Sequence, residues 1–120
     1  MKNILEVEDL GIMIDGEKIV KDISFFVHDQ HITCIVGESG SGKSVTMSAV
    51  LGLLPKVACK TKDSKIMFHG DSLFCIYQDP MNSLNSSVKV GKQLYQMVKG
   101  YKKMTRAEFD QQMGIILERI

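Results

Sequence analysis

The chain has 120 residues, of which 24% are charged and 44% hydrophobic, and its formal net charge is +1. This length predicts at most one domain, and the balanced charge argues against nucleic acid as a partner. Its three cysteines, Cys34, Cys59 and Cys75, follow no metal-ligand spacing, so we expect reduced thiols and no zinc site. We also expect no transmembrane segment and no signal peptide, because no apolar run is long enough for either.

The N-terminal third predicts β-strands. Residues 4–10, "ILEVEDL", alternate apolar and acidic side chains, as a half-buried strand does. Asp15 and Gly16 form a dipeptide that favours a tight hairpin turn between two short strands. Residues 22–29 predict a further strand, and the short apolar run "HITCIV" at residues 31–36 predicts a buried parallel strand.

Later segments alternate between helix and strand. The first predicted helix follows a glycine-rich loop and stops at Pro55, with an apolar stripe made of Val45, Ala49, Val50 and Leu53. The lysine-rich residues 56–65 predict a surface connection, while "KIMFHG" and "FCIYQDP" predict short strands. Two amphipathic helices follow, the second starting at Thr105 with a capping box to Glu108.

The glycine-rich loop has the strongest chemical signal. In "GESGSGKS", Gly37, Gly42, Lys43 and Ser44 fit the pattern G-x-x-x-x-G-K-[ST], which places backbone N–H groups and a helix N-terminus around phosphate. The lysine puts a charge on the β and γ phosphates, and the serine hydroxyl binds Mg²⁺. The nucleotide-binding candidates are Gly37, Glu38, Ser39, Gly40, Ser41, Gly42, Lys43, Ser44 and Val45.

A flexible glycine-serine turn is the alternative interpretation of this loop. The predicted strand before it and helix after it favour phosphate binding instead. A GTPase would need N-K-x-D and D-x-x-G motifs, and the sequence has neither. A small-molecule kinase remains open on the loop alone.

A second motif, "QDPMNSLNSS", occupies residues 78–87. By itself this motif predicts an ordinary turn that contains a proline. In the order strand, phosphate loop, helix, strand and Gln-loop, it resembles the ATP-binding subunits of ABC transporters. The segments "LEVEDL", "VKDISF", "IVGESGSGKS", "LGLLP" and "QDPMNSLN" are similar to the oligopeptide, dipeptide and nickel importer branch of that family.

The resemblance implies an α/β fold, namely a partial P-loop NTPase (RecA-like) core with parallel strands and an N-terminal antiparallel β-layer. Residues 1–120 would form the N-terminal half of one ATP-binding domain, with most of its helical subdomain missing. We expect the β-layer at residues 1–30, the phosphate-loop core at 31–80, and the Gln-loop with the start of the helical subdomain at 81–120.

The resemblance also implies ligands and partners. ATP and Mg²⁺ are the expected cofactors, with Ser44 and Gln78 at the metal and Gln78 also positioning the attacking water. Ile14 stands where the family has an aromatic residue against adenine. Integral membrane permease subunits would bind through the Gln-loop, and a second ATP-binding subunit would complete a dimer at the cytoplasmic face of the membrane.

Several family motifs do not follow the Gln-loop. The sequence has no apolar strand ending in Asp and Glu, no L-S-G-G-Q signature and no switch histidine after residue 87. We therefore expect ATP-driven transport of peptides or nickel chelates by the parent protein, but no appreciable turnover by these residues alone. A truncated, non-hydrolysing nucleotide-binding or interaction module is one alternative, and a P-loop kinase is another.

Overall fold

The computed structural model describes residues 1–120, apart from the side chain of Pro80. It divides the chain into two compact units, Met1–Cys75 and Ile76–Ile120, which we describe separately. The first unit contains β1 (Asn3–Ile14), β2 (Glu17–His28), α1 (Lys43–Val50), β3 (Ala58–Lys60) and β4 (Lys65–Phe68). The second contains α2 (Pro80–Ser83), α3 (Val90–Tyr101) and α4 (Arg106–Glu118).

A long hairpin forms the start of the first unit. Strands β1 and β2 pair antiparallel, and Ile14 lies opposite Glu17 across the turn. Both turn residues have positive φ, 49° at Asp15 and 84° at Gly16, as the hairpin turn that matches strand twist requires. The predicted Asp15-Gly16 hairpin is confirmed, although its two strands are 12 residues each rather than short.

Strand β1 is the centre of the sheet. It pairs with β2 along one edge, and with both β3 and β4 along the other, always antiparallel. Its apolar side chains are buried with Val20 of β2 and with the inner side of α1, so the helix covers one face of the sheet. The buried apolar residues of this core are Leu5, Val7, Leu10, Ile12, Val20, Ala49 and Val50.

The parallel strand predicted at residues 31–36 is not formed. These residues have no regular secondary structure and are exposed, with 93% of Ile32 and 92% of Val36 accessible. A parallel strand needs a neighbour running the same way and cover on both faces. Among the described residues every strand pair is antiparallel, so this apolar segment has no such neighbour.

Two other strand predictions also need correction. The segment "FCIYQDP" contains no strand, and Phe74 and Ile76 are 80% and 100% exposed. Residues 58–60, predicted as surface connection, instead form β3 opposite Ile12–Ile14. The strand within "KIMFHG" is confirmed as β4. The fold therefore has helices and an antiparallel sheet, without the parallel strands that the sequence predicts.

The second unit is helical. Helix α4 begins at the predicted capping box, in which Thr105 Oγ1 accepts from the Glu108 N–H at 3.2 Å and Glu108 Oε2 accepts from the Thr105 N–H at 3.1 Å. Between α3 and α4, the Tyr95 and Phe109 rings meet edge-on at 5.3 Å. Phe109 is the buried residue of α4, whereas Ile116 and Leu117 of the same helix are exposed. None of the described helices is both long and apolar enough to cross a membrane.

Candidate phosphate-binding site

The glycine-rich loop folds back on itself before α1. The Ser41 N–H donates to the Glu38 carbonyl at 3.2 Å, and the Ser41 hydroxyl donates to the same oxygen at 2.7 Å. These two bonds close residues 38–41 into a turn. The loop is therefore a defined structure and not only a flexible linker.

Lys43 points its ammonium group into this loop. Its Nζ donates to the carbonyl oxygens of Gly37 and Glu38, the latter at 2.5 Å, and to Ser41 Oγ at 3.3 Å. The side chain is half-buried, so the cation lies against the loop and not in bulk solvent. This places one positive charge at the centre of the loop, where an anion can reach it.

Helix α1 begins at the end of the loop. Its N-cap is Gly42, whose φ of 95° is unfavourable for residues with a Cβ. The first intrahelical bond runs from the Thr46 N–H to the Gly42 carbonyl at 2.9 Å. The N–H groups of the preceding residues, Lys43, Ser44 and Val45, have no intrahelical acceptor and favour an anion.

Gly37 brings the two ends of the loop close together. A Cβ at this position would lie 2.6 Å from Ser41 Oγ, closer than real contacts allow. The hydroxyl there already bonds to Glu38 and Lys43. A side chain at position 37 would therefore displace the turn that surrounds the lysine.

A cavity of about 580 Å³ adjoins the loop. Lys43, Ser41 and Gly42 line one part of it, and apolar side chains of β2 and of residues 33–36 line much of the rest. The apolar lining includes Ile19, Val20, Ile23, Phe25, Ile35 and Val36. Such a cavity accepts a ligand with an anionic part and an apolar part.

The loop residues fit a nucleotide triphosphate with its metal. The lysine and the three helix-start N–H groups would donate to phosphate oxygens, and the close approach at Gly37 leaves no room for a side chain there. Ser44 is exposed on the first turn of α1, so its hydroxyl is free to bind Mg²⁺. Within the described part of the chain, no group of three or more His, Cys, Asp and Glu could hold a metal on its own.

Ile14 lies at the end of β1, opposite Ala58 of β3. It is half-buried and packs against the core of the sheet. It does not contribute to the lining of the cavity beside the loop. Its role at adenine remains a prediction.

Gln78 belongs to the second unit, and its role at Mg²⁺ and water remains a prediction. Its side chain is exposed, and the next residue, Asp79, caps α2. Asp79 Oδ1 accepts from the Met81 and Asn82 N–H groups at 3.0 and 3.3 Å, and Oδ2 accepts from the Asn82 amide at 2.5 Å. The side-chain bond from Asn82, followed by the backbone bonds, holds the pKa of Asp79 below its usual range.

The structure adds two supporting residues that the sequence did not indicate, Val20 beside the phosphate loop and Gln93 beside the Gln-loop. Val20 supports the loop, since its Cγ2 lies 3.2 Å from the position that a Cβ at Gly42 would take. Gln93 holds the Gln-loop, accepting from the Asn85 N–H at 2.8 Å and donating to the Asn85 and Val88 carbonyls at 2.7 Å. Neither contact could be predicted from a sequence motif. Val20 is far from Gly42 along the chain, and the spacing between Gln93 and Asn85 matches no helix or turn pattern.

Comparison with known proteins shows which family this chain resembles. A family model described as "ABC transporter" matches residues 20–120. The oligopeptide transport ATP-binding protein OppD of Bacillus subtilis is 33% identical over 98% of the chain and 38% of its own length. The dipeptide transport ATP-binding protein DppD of the same organism is 32% identical over 88% of the chain and 38% of its length.

A third relative has a similar name and coverage. The probable peptide ABC transporter ATP-binding protein y4tR of Sinorhizobium fredii is 35% identical over 88% of the chain and 37% of its own length. The chain thus spans about two fifths of the length of the curated relatives it matches.

Proposed function

This chain belongs to the ABC transporter family, and from that premise we propose that it is part of the ATP-binding, energy-coupling subunit of a peptide importer. The observation that carries the proposal is the phosphate loop. Its lysine bonds to the turn at residues 38–41, α1 begins directly after that turn, and a lysine and a helix N-terminus both favour an anion. Family membership makes ATP the nucleotide of choice and disfavours a P-loop kinase.

Peptides are the preferred cargo in this proposal. The three relatives above are named for dipeptide, oligopeptide or peptide transport. Nickel chelates remain the second candidate because the sequence resembles a branch that includes nickel importers. ATP hydrolysis would drive import in the full-length protein.

Each loop residue has a distinct part in holding Mg-ATP. The Lys43 ammonium would exchange its bonds to loop carbonyls for bonds to phosphate oxygens, and the N–H groups at the start of α1 would donate to the same anion. The Ser44 hydroxyl would bind Mg²⁺. When bound, Mg-ATP supplies a phosphoryl group whose transfer to water releases free energy.

We propose that these 120 residues alone bind ATP without turning it over appreciably. Phosphoryl transfer depends on positioned charges and an oriented nucleophile. Gln78 is the candidate for orienting water, and no acidic residue follows an apolar strand after it. A non-hydrolysing nucleotide-binding or interaction module is therefore the second candidate for this chain.

The proposed partners follow from the same family. Residues 78–87 would contact integral membrane permease subunits, and a second ATP-binding subunit would pair with this one. The protein would then act at the cytoplasmic face of the membrane as a peripheral subunit.

Titration of the chain with a fluorescent ATP analogue tests the nucleotide site. Lys43→Ala removes the charge-assisted bonds, so we expect affinity to fall about 10- to 100-fold. Lys62→Ala removes an exposed lysine of the same unit and serves as the control, with affinity unchanged. Equal affinities of all three proteins would refute the phosphate-loop site, and steady phosphate release that Lys43→Ala abolishes would refute the non-hydrolysing proposal.

The cargo needs a separate test in cells that carry the gene. Deleting the gene should reduce uptake of radiolabelled di- and tripeptides and leave uptake of radiolabelled nickel unchanged. Loss of nickel uptake with normal peptide uptake would reverse the order of the two candidates.

A further inference from the structure

A basic cleft lies on the second unit, between one side of α3 and the start of α4. Its volume is about 610 Å³, and its lining includes Lys89, Lys92, Lys99, Arg106, Tyr95 and Gln96. No acidic side chain lines it. We use the name basic cleft for this set of residues.

The positive charge of the cleft is largely unmatched. Arg106 pairs with Asp110 at 2.9 Å, but within the described part of the chain none of the three lysines forms an ion pair. Residues 76–120 carry seven Lys and Arg against four Asp and Glu, whereas residues 1–75 carry eight against ten. The near-neutral net charge of the whole chain is therefore the sum of a net negative first unit and a net positive second unit. The positive second unit attracts anions.

Helix α3 presents two of these lysines together. Lys92 and Lys99 share one face of the helix, since they are seven residues apart. Both side chains are exposed. Lysines that share one exposed helix face attract the phosphates of anionic lipids.

From these observations we propose that the basic cleft binds the surface of an anionic phospholipid bilayer. Its three lysines would contact lipid phosphates. This contact would be made by the chain itself, independently of any permease subunit. It also does not depend on nucleotide binding, because the phosphate loop lies in the other unit.

The composition of the cleft favours lipid over nucleic acid. Single-stranded nucleic acid is bound through aromatic side chains that stack on successive bases. Tyr95, the aromatic residue of the cleft, is half-buried, contacts Phe109 and donates its hydroxyl to the Met104 carbonyl at 3.2 Å. Its ring is therefore engaged within the protein, and the cleft offers three exposed lysine ammonium groups that recognise phosphate.

Co-sedimentation of the 120-residue chain with vesicles tests the proposal. We expect binding to phosphatidylcholine vesicles that contain phosphatidylglycerol, much weaker binding to pure phosphatidylcholine, and release by added salt. Each removed charge should weaken binding about 5-fold, so Lys92→Gln with Lys99→Gln should weaken it about 25-fold. Lys92→Arg with Lys99→Arg should retain binding, because the charges remain.

A matched control changes the net charge by the same amount at another place in the chain. Lys56→Gln with Lys62→Gln removes two exposed lysines of the first unit and should leave vesicle binding nearly unchanged. The proposal is overturned if this control weakens binding as much as the α3 variant, or if both vesicle types bind equally. It is also overturned if millimolar inorganic phosphate abolishes vesicle binding at constant ionic strength, or if a single-stranded oligonucleotide binds more tightly than the anionic vesicles.

Discussion

Gly42 shows how one residue can join the sheet, the loop and the helix of the first unit. Its φ of 95° ends the loop, its carbonyl accepts the first bond of α1, and Val20 of β2 lies against it. The position is thus restricted both by backbone conformation and by space. A substitution here should affect stability and ligand binding together.

We predict that Gly42→Ala lowers the free energy of unfolding by about 1–2 kcal/mol, the usual cost of a left-handed conformation for a residue with a Cβ. It should also weaken nucleotide binding. Urea denaturation and the fluorescent titration measure the two effects. Gly114→Ala is the matched control, since Gly114 lies within α4 with no atom within 4 Å of the added Cβ, and should raise stability by up to about 1 kcal/mol. Equal effects of the two substitutions would contradict the role of the left-handed backbone conformation at Gly42.

At the scale of elements, short helix α2 depends on one carboxylate. Asp79 accepts three hydrogen bonds from Met81 and Asn82, and its pKa is lowered by them. A carboxyl with a lowered folded-state pKa stabilises the fold above its unfolded pKa, about 3.9 for Asp. That stabilisation is lost as the pH falls through the folded pKa.

We therefore predict that the amide protons of Met81 and Asn82 lose their hydrogen-bonded chemical shifts as the pH falls from about 5 to about 2. NMR spectra recorded along this titration measure the change. Asp79→Asn keeps a capping oxygen without a titrating group, so its spectra should not change over that range apart from effects of other carboxyls. A transition of the same size in Asp79→Asn would exclude Asp79 as its source.

Helix α4 depends on the reciprocal bonds between Thr105 and Glu108. Thr105→Ala should lower the free energy of unfolding of the second unit by about 1 kcal/mol, the usual effect of losing an N-cap. Thr105→Ser retains the hydroxyl and should restore the stability. Thermal unfolding followed by circular dichroism compares the three proteins, and a serine variant as unstable as the alanine variant would argue against the capping bond.

At the scale of the whole molecule, the chain exposes apolar side chains that usually lie in a core. Ile32 and Ile76 are 93% and 100% exposed, in two segments with the apolar composition of buried strands. Exposed apolar patches of this kind promote association. The exposed edge of β2, which pairs on one side with β1, adds a second route to association.

We predict that the 120-residue chain self-associates with increasing concentration, and that Ile32→Ser with Ile76→Ser reduces this association. Sedimentation velocity over a range of concentrations measures it. Ile120→Ser replaces an equally exposed residue outside these segments and should have little effect. A monomer at all concentrations would show that these apolar segments do not drive self-association.

Local patterns determined several features of this protein. The Asp15-Gly16 turn, the Thr105 capping box and the glycine-rich loop before α1 all depend on residues within a few positions of one another. Their backbone geometry follows from intrinsic conformational preferences and short hydrogen bonds. For the same reason the sequence predicted the glycine-rich loop before α1, and phosphate binding by Lys43 stays a prediction.

Only the tertiary structure decided how the strands pair and which apolar runs are buried. The apolar composition of residues 31–36 predicts a parallel strand, yet a strand forms only where a neighbour supplies hydrogen bonds. Residues 58–60 lie in a lysine-rich segment that predicts a surface connection, yet they form β3 because β1 offers them a free edge. The support that Val20 gives to Gly42 has the same origin, since contacts between distant residues depend on the packing of the whole sheet.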